Sequence, residues 1–379
     1  DAWSAETGHS ATAIQMPDDS SALLALIQQM LAAQSADIDV FQIDVVWPGT
    51  LGQHFIDLNE HVDEATKAQH FDAIIDSVTV DGRLVGLPWF TDAGLLYYRK
   101  DLLDKHGFGV PTTWQELTET AGAIVTLEQE EGNQDLFGFV FQGKAYEGLT
   151  VDALEWIDSF GGGSVVNEKG EITVNNPRAV EAIDLAASWV GTLAPEGVLS
   201  YGEEEARGLF QSGRAVFMRN WPYAWSLAQS EDSPVRGNVG IAPLPKGGEN
   251  GKHSAGLGGW QLAVSKYSNN PEIAAELVTY MTGPEQQKRR ALELSLNPTI
   301  AALYEDPDIL EANPFMGELY DVFVNAVARP SGVTGASYNQ MSAEFYNAVH
   351  AVLSGRMTAE DSLAQLERRL DRLSRGGRW

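Results

Sequence analysis

The chain contains no cysteine, so disulfides and thiolate metal sites are excluded and nothing in it depends on the redox state of its compartment. Basic residues are scarce: 25 Lys and Arg stand against 53 Asp and Glu, a formal charge of −28. Such a surface repels phosphate backbones and anionic lipid, which removes nucleic acid from the expected partners. Long hydrophobic runs are lacking, and no segment approaches the roughly 20 apolar residues of a membrane span. No basic n-region followed by an apolar h-region opens the chain as a secretion signal would, so the expectation is a processed, truncated or never exported form.

Catalytic motifs are also missing. There is no His-Glu-x-x-His and no Gly-x-Ser-x-Gly. The phosphate-loop look-alike at Lys246 to Ser254 has Lys246 at its first glycine position, and His253 follows Lys252. Gly256-x-Gly258 has Gln261 where a dinucleotide fingerprint needs a third glycine. His54 and His61 make an incomplete metal site. No cofactor is implied.

What remains is an ordinary globular composition, 44% hydrophobic and 21% charged, over 379 residues. At about 100–200 residues per domain that length suggests two large domains. Ser21 caps a predicted helix bearing Leu24, Ile27 and Leu31, and Ile38 to Ile43 reads as a buried strand. Asp81-Gly82, set between short apolar runs, predicts a hairpin, followed by a strand from Leu95 to Arg99. Thr113-x-x-Glu116 is a capping box opening a helix with Trp114, and Gly138 to Gln142 is the next strand. Asn176-Pro177, Asn270-Pro271 and Thr358-x-x-Asp361 open further helices. Trp114, Trp156 and Trp189 fall in helical patterns and are assigned to core. The acidic runs Glu128 to Glu131 and Glu203-Glu204-Glu205 read as solvated helix faces. Alternating elements predict an α/β architecture with mainly parallel sheets, with a ligand at the strand ends.

Asp44, Asp92, the aromatics Trp221, Tyr223 and Trp225, and Gly258-Gly259-Trp260 each close an apolar stretch or sit beside a turn-forming residue. A polyhydroxylated ligand needs carboxylates that accept paired hydroxyl protons and flat aromatic faces that cover its C–H surface. A sugar-binding cleft is the leading reading of these residues.

Five segments occur in order along the chain: Asp39-Val-Phe-Gln-Ile-Asp44, Leu87-Pro-Trp-Phe-Thr-Asp-Ala-Gly94, Leu96-Tyr-Tyr-Arg-Lys-Asp-Leu-Leu103, Pro111-Thr-Thr-Trp114 and Phe210-Gln-Ser-Gly-Arg-Ala-Val-Phe-Met218. Together they resemble the extracellular solute-binding proteins of ABC transporters, family 1, in the maltose/trehalose-binding group. The resemblance implies a two-lobed type II periplasmic-binding-protein fold, α/β, with three crossing segments. Lobe I would comprise residues 1–93 and 259–315, and lobe II residues 94–258 and 316–379. It also implies ligand contacts at Asp44, Phe90, Asp92, Trp221, Tyr223, Gly259 and Trp260, with Glu147 in Tyr146-Glu-Gly-Leu149 and Arg329 in Ala328-Arg-Pro330 as further candidates.

The implied function is capture of a disaccharide of trehalose or maltose type by hinge closure and delivery to the membrane permease, by a monomer in the periplasm or tethered outside a Gram-positive membrane. Alternatives are a glycoside hydrolase using Asp44 and Asp92, and a binder of a polyol, sugar derivative or peptide. The chain departs from the group in two places. Asp1-Ala-Trp-Ser looks like the end of the first helix, so the first strand is expected to be missing. Leu23 and Leu24 stand where close trehalose and maltose binders carry arginine.

Overall fold

Asp81 and Gly82 carry the chain through a turn at φ 51° and 76°, the left-handed pair that matches the twist of a hairpin. In the computed structural model, which describes residues 2–248 and 250–379, that turn joins two of nine strands. They are β1 (Val40–Asp44), β2 (Thr79–Val80), β3 (Arg83–Leu84), β4 (Leu87–Ala93), β5 (Leu95–Arg99), β6 (Phe137–Val140), β7 (Ala215–Asn220), β8 (Val239–Pro243) and β9 (Leu257–Val264). Helices form where the caps predict them. Thr113 accepts the Glu116 N–H at 3.1 Å while the Glu116 carboxylate accepts the Thr113 N–H at 3.2 Å. Asn176 and Thr358 also cap their helices, each side-chain oxygen accepting backbone N–H groups of the first turn without the reciprocal bond.

Two caps differ from expectation. Asp19, not Ser21, accepts the Ala22 N–H at 2.9 Å and starts the helix Ser20–Ala32, a carboxylate being the stronger acceptor at a helix N-terminus. The helix Pro271–Thr282 starts at its proline without a side-chain bond from Asn270, whose own N–H is taken by Ser268.

The chain divides into two compact units, Asp1–Thr91 with Gly258–Asn313, and Asp92–Leu257 with Pro314–Trp379. In the first, β1, β9 and β4 form one sheet, with β1 and β9 antiparallel. Its core gathers Leu58, Val78, Leu84, Leu87 and Leu262 against Ala274, Ala275 and Val278 of the helix Pro271–Thr282.

In the second unit the strand order is β6-β7-β5-β8. Here the expectation of mainly parallel sheets is corrected. β6 and β7 are parallel, but β5 runs antiparallel to both of its neighbours, β7 and β8. β5 follows β4 after Gly94 alone, with no crossover helix to turn it round, so this one reversed strand makes two pairs of the sheet antiparallel. Trp114, Trp156 and Trp189 are core, as predicted, clustering with Phe139 and Phe141 at centroid separations such as 5.3 Å for Phe139 and Trp189. The Trp114 and Trp189 indole N–H groups donate to Ser159 and Thr118. Through this unit runs the helix Glu147–Ser159, every residue of which is buried.

His70 is buried in the first unit, with Nδ1 2.8 Å from the Thr299 hydroxyl, and burial pulls its pKa down to about 4. The fold therefore favours the neutral ring. Between the unfolded value near 6.5 and about 4, the unfolded chain takes up the proton first, so stability falls as pH drops. Denaturant unfolding of wild type and His70→Gln should show the wild-type advantage shrinking by about 3 kcal/mol from pH 7 to pH 4. A gap that stays constant with pH would refute this.

Candidate functional site

In the first unit, the antiparallel register sets Asp44, the last residue of β1, opposite Trp260 of β9. A carboxylate oxygen of Asp44 accepts the Val46 N–H at 3.1 Å, while the Val45 N–H donates to the Gly259 carbonyl at 3.1 Å. These bonds turn the chain out of the strand and bring in Trp47, which is buried and meets Trp260 edge to face, centroids 5.6 Å apart at 90°. Gly259 stands at φ 128°, where a side chain is strained, so glycine is required for this approach. Trp260 is half-buried. A carboxylate, a tight glycine and a braced indole thus share one end of a strand pair. Phe90 is buried on β4 and packs on Trp89, centroids 5.2 Å apart.

In the second unit, Asp92 is buried near the β4–β5 junction and Trp221 and Tyr223 follow the end of β7. Tyr97 of β5 connects them, since its hydroxyl donates to the Trp221 carbonyl at 2.7 Å. Burial, and then the Asp92 charge, raise the Tyr97 hydroxyl well above its ordinary pKa, so it stays a donor. The Arg219 guanidinium lies 3.9 Å from the centroid of the Trp221 ring, a close cation–π contact, and the indole N–H donates to Glu203 at 3.3 Å. Tyr223 donates to Glu204 at 2.5 Å. Trp225 packs edge-on against Phe315.

The reading of Glu203-Glu204-Glu205 as a solvated face holds for Glu204 and Glu205, which are exposed, and is corrected at Glu203, which is half-buried. Glu203 also accepts from Tyr146 at 2.6 Å, and Glu205 caps its helix by accepting the Gly202 N–H at 2.9 Å. Acids in the first helical turn suit the helix dipole, and two of them also hold the aromatic residues.

Glu147 and Arg329 meet each other at 2.8 Å, both buried. Glu147 also accepts from the hydroxyls of Tyr338 and, at 2.6 Å, Ser342. Apart from Phe90, which packs on Trp89, the predicted residues thus fall into three groups, Asp44 with Gly259 and Trp260, Asp92 with Trp221 and Tyr223, and Glu147 with Arg329. Tyr97 and Arg219 were not singled out from sequence, and Glu203 and Glu204 were read only as part of a solvated face. Arg219 carried the clearest signal, a charge inside the buried run Ala215–Asn220. Among the described residues, no group of three or more His, Asp or Glu is placed to hold a metal ion, and no helix is long and apolar enough to cross a membrane.

Residues 1–288 match the bacterial extracellular solute-binding protein family. The chain belongs to that family. A probable ABC transporter-binding protein of Deinococcus radiodurans is 53% identical to this solute-binding protein over all of this chain and 90% of its own length. T. maritima MalE3 with maltose bound is 42% identical at a TM-score of 0.93, covering 98% of this chain and 94% of that one. An ABC transporter solute-binding protein of Agrobacterium vitis S4 with bound D-mannitol shares the fold at a TM-score of 0.84 and 21% identity, over 99% of this chain and 93% of that one. This protein is accordingly a substrate-binding protein of an ABC transporter with the type II periplasmic-binding-protein fold, a fold seen with maltose and with D-mannitol bound in those two structures.

The Tyr97 contact makes a stability prediction for this solute-binding protein. Tyr97→Phe keeps the ring but strips the donor from the carbonyls of Trp221 and Pro222, at 2.7 and 3.2 Å. Unfolding free energy measured by denaturant titration should fall by about 1–3 kcal/mol. A neutral change would show that these carbonyls find other donors.

Proposed function

We propose that this protein captures a neutral disaccharide of the trehalose or maltose type and delivers it unaltered to the permease of an ABC importer. The observation that carries this reading is the pairing of Asp44 with Trp260 on adjacent strands, a buried carboxylate beside a half-exposed indole. Asp92 and Trp221 provide the same two chemistries on the second unit. The maltose bound to T. maritima MalE3, at 42% identity, supports the choice of sugar. In this reading the two units are lobes that close on the sugar. Aromatic faces replace water over its rings, and carboxylates accept from its hydroxyls. A wrong epimer leaves a buried group unpaired at about 1–3 kcal/mol. Each partner's polar group must be satisfied, and that requirement selects the sugar. The protein works as a monomer in the periplasm or tethered outside the membrane, where the permease meets it, and performs no chemistry on its ligand.

A thermal-shift series with maltose, trehalose, mannitol and free amino acids tests the ligand class. A specific disaccharide at 100 times its Kd should add about 2.7 kcal/mol of stability, and scattering should show a smaller radius of gyration with it than without. Stabilisation by amino acids alone would move the assignment to another solute. Sugar cleaved on overnight incubation, with cleavage lost in Asp44→Asn or Asp92→Asn, would move it to a hydrolase.

Trp260→Ala should weaken disaccharide binding by about 2–4 kcal/mol in titration calorimetry while the protein remains folded. Unchanged affinity would place the sugar elsewhere.

A further inference from the structure

We propose that Glu155, acting through Arg219, is a positioning residue that ties the stacking face of Trp221 to the backbone joining the two units. The inference rests on the sugar-binding reading above. Glu155 and Arg219 are both fully buried. The Glu155 carboxylate takes Arg219 as a fork, Nε to Oε2 at 2.8 Å and Nη2 to Oε1 at 2.6 Å, while Arg219 Nη1 reaches Gln142 at 3.1 Å. So held, the guanidinium carbon lies over the Trp221 ring, 3.9 Å from its centroid, and occupies one face of it. Burial opposes the charge on Arg219, but the Asp152 and Glu155 carboxylates outweigh it and keep the group protonated.

The other end of this chain of contacts is backbone. Glu155 Oε1 accepts the Gly256 N–H at 2.9 Å, next to the Leu257–Gly258 boundary between the units. The first boundary, Thr91–Asp92, lies close to Gly94, where a Cβ would sit 2.0 Å from the same oxygen. At Gly256 a Cβ would sit 2.3 Å from Val151 of the same helix. Two of the three connecting segments are therefore pressed onto one buried carboxylate, and glycine is what admits them. Around Gly256 the backbone also pairs with Val327, Leu257 N–H donating to the Val327 carbonyl at 2.8 Å and Val327 N–H to the Ala255 carbonyl at 2.8 Å. An apolar pair of equal volume can stabilise a fold as well as a buried ion pair does. What the fork adds is a fixed angle between the indole and the connecting backbone. Movement of those segments on closure is thereby transmitted to the surface on which the sugar stacks.

The test uses the full chain with maltose as probe, measuring affinity and dissociation rate, radius of gyration with and without sugar, and melting temperature. Glu155→Gln and Arg219→Lys each remove the fork while retaining volume or charge. Each should bind maltose at least tenfold more weakly, dissociate faster and contract less. Thr150→Val is the control on the same helix, removing a hydroxyl that lies 2.7 Å from Ser342. It should lower the melting temperature without changing affinity.

Wild-type affinity and contraction in Glu155→Gln or Arg219→Lys would overturn the proposal, as would affinity lost only in step with melting temperature, control included. If one variant fails to fold, the other decides. If wild type binds neither maltose nor another disaccharide, the sugar reading fails first. The positioning claim is then judged by Trp221 emission alone, isolated by subtracting the spectra of Trp221→Phe partners. Emission unchanged by Arg219→Lys or Glu155→Gln would overturn it.

Discussion

A helix buried along its whole length cannot carry charge unless each charge is met. The helix Glu147–Ser159 carries four acidic residues and is buried on all sides. Each acid has a partner, and Asp152 and Glu155 share Arg219. Glu147 meets Arg329, Asp152 accepts the Gln142 N–H, Glu155 grips Arg219, and Asp158 takes Lys252 and the Ser254 hydroxyl. Removing one member of such a pair leaves a buried charge at a penalty of about 3–5 kcal/mol, so the partners are drawn to the helix and their segments with them. Arg219 belongs to the strand that leads to Trp221, Arg329 to the segment after Val327, and Ser254 to the approach to β9. The positions of Trp221 and Arg329 in the second unit follow from satisfying this one helix.

The first unit reaches a comparable arrangement by other means. There the sheet register alone sets Asp44 against Trp260, and a glycine at φ 128° lets the strand turn close enough for Trp47 to brace the indole. One half of the proposed site therefore depends on backbone pairing and the other on buried ion pairs. The proposed division of labour has a consequence for sugar selectivity. Strand-edge groups such as Asp44 move little, whereas the Trp221 face inherits the position of Arg219, and differences among relatives that bind different solutes are expected to concentrate on the second kind of support.

Much of the local structure was legible because its causes are local. The Asp81-Gly82 hairpin and the Thr113, Asn176 and Thr358 caps are each decided within about four residues, and all formed as read. The order of segments was enough to name the family. The reversed strand β5 was not legible, because its direction follows from entering the second unit straight after Gly94, which no hydrophobic period encodes. The helix Glu147–Ser159 was legible only around Trp156, because a helix buried on every side has no amphipathic period to fix its extent, and its acids find partners as distant as Arg329. The bonds of the glutamates at 203 and 204 were missed because their partners are distant in sequence. Their charge suggested solvent, while the tyrosines and the indole they bind lie elsewhere in the sequence. Asp44 and Trp260 could each be named as candidates, but only the register showed that they face one another.

The central claim is that one sugar is held by carboxylate and indole pairs drawn from both units. The most direct measurement is a diffraction structure of the maltose complex. The account predicts a single maltose with Trp260 and Trp221 stacked on its rings and Asp44 and Asp92 accepting from its hydroxyls. Maltose contacting one unit alone, with the other unit's aspartate and tryptophan beyond contact distance, would contradict it.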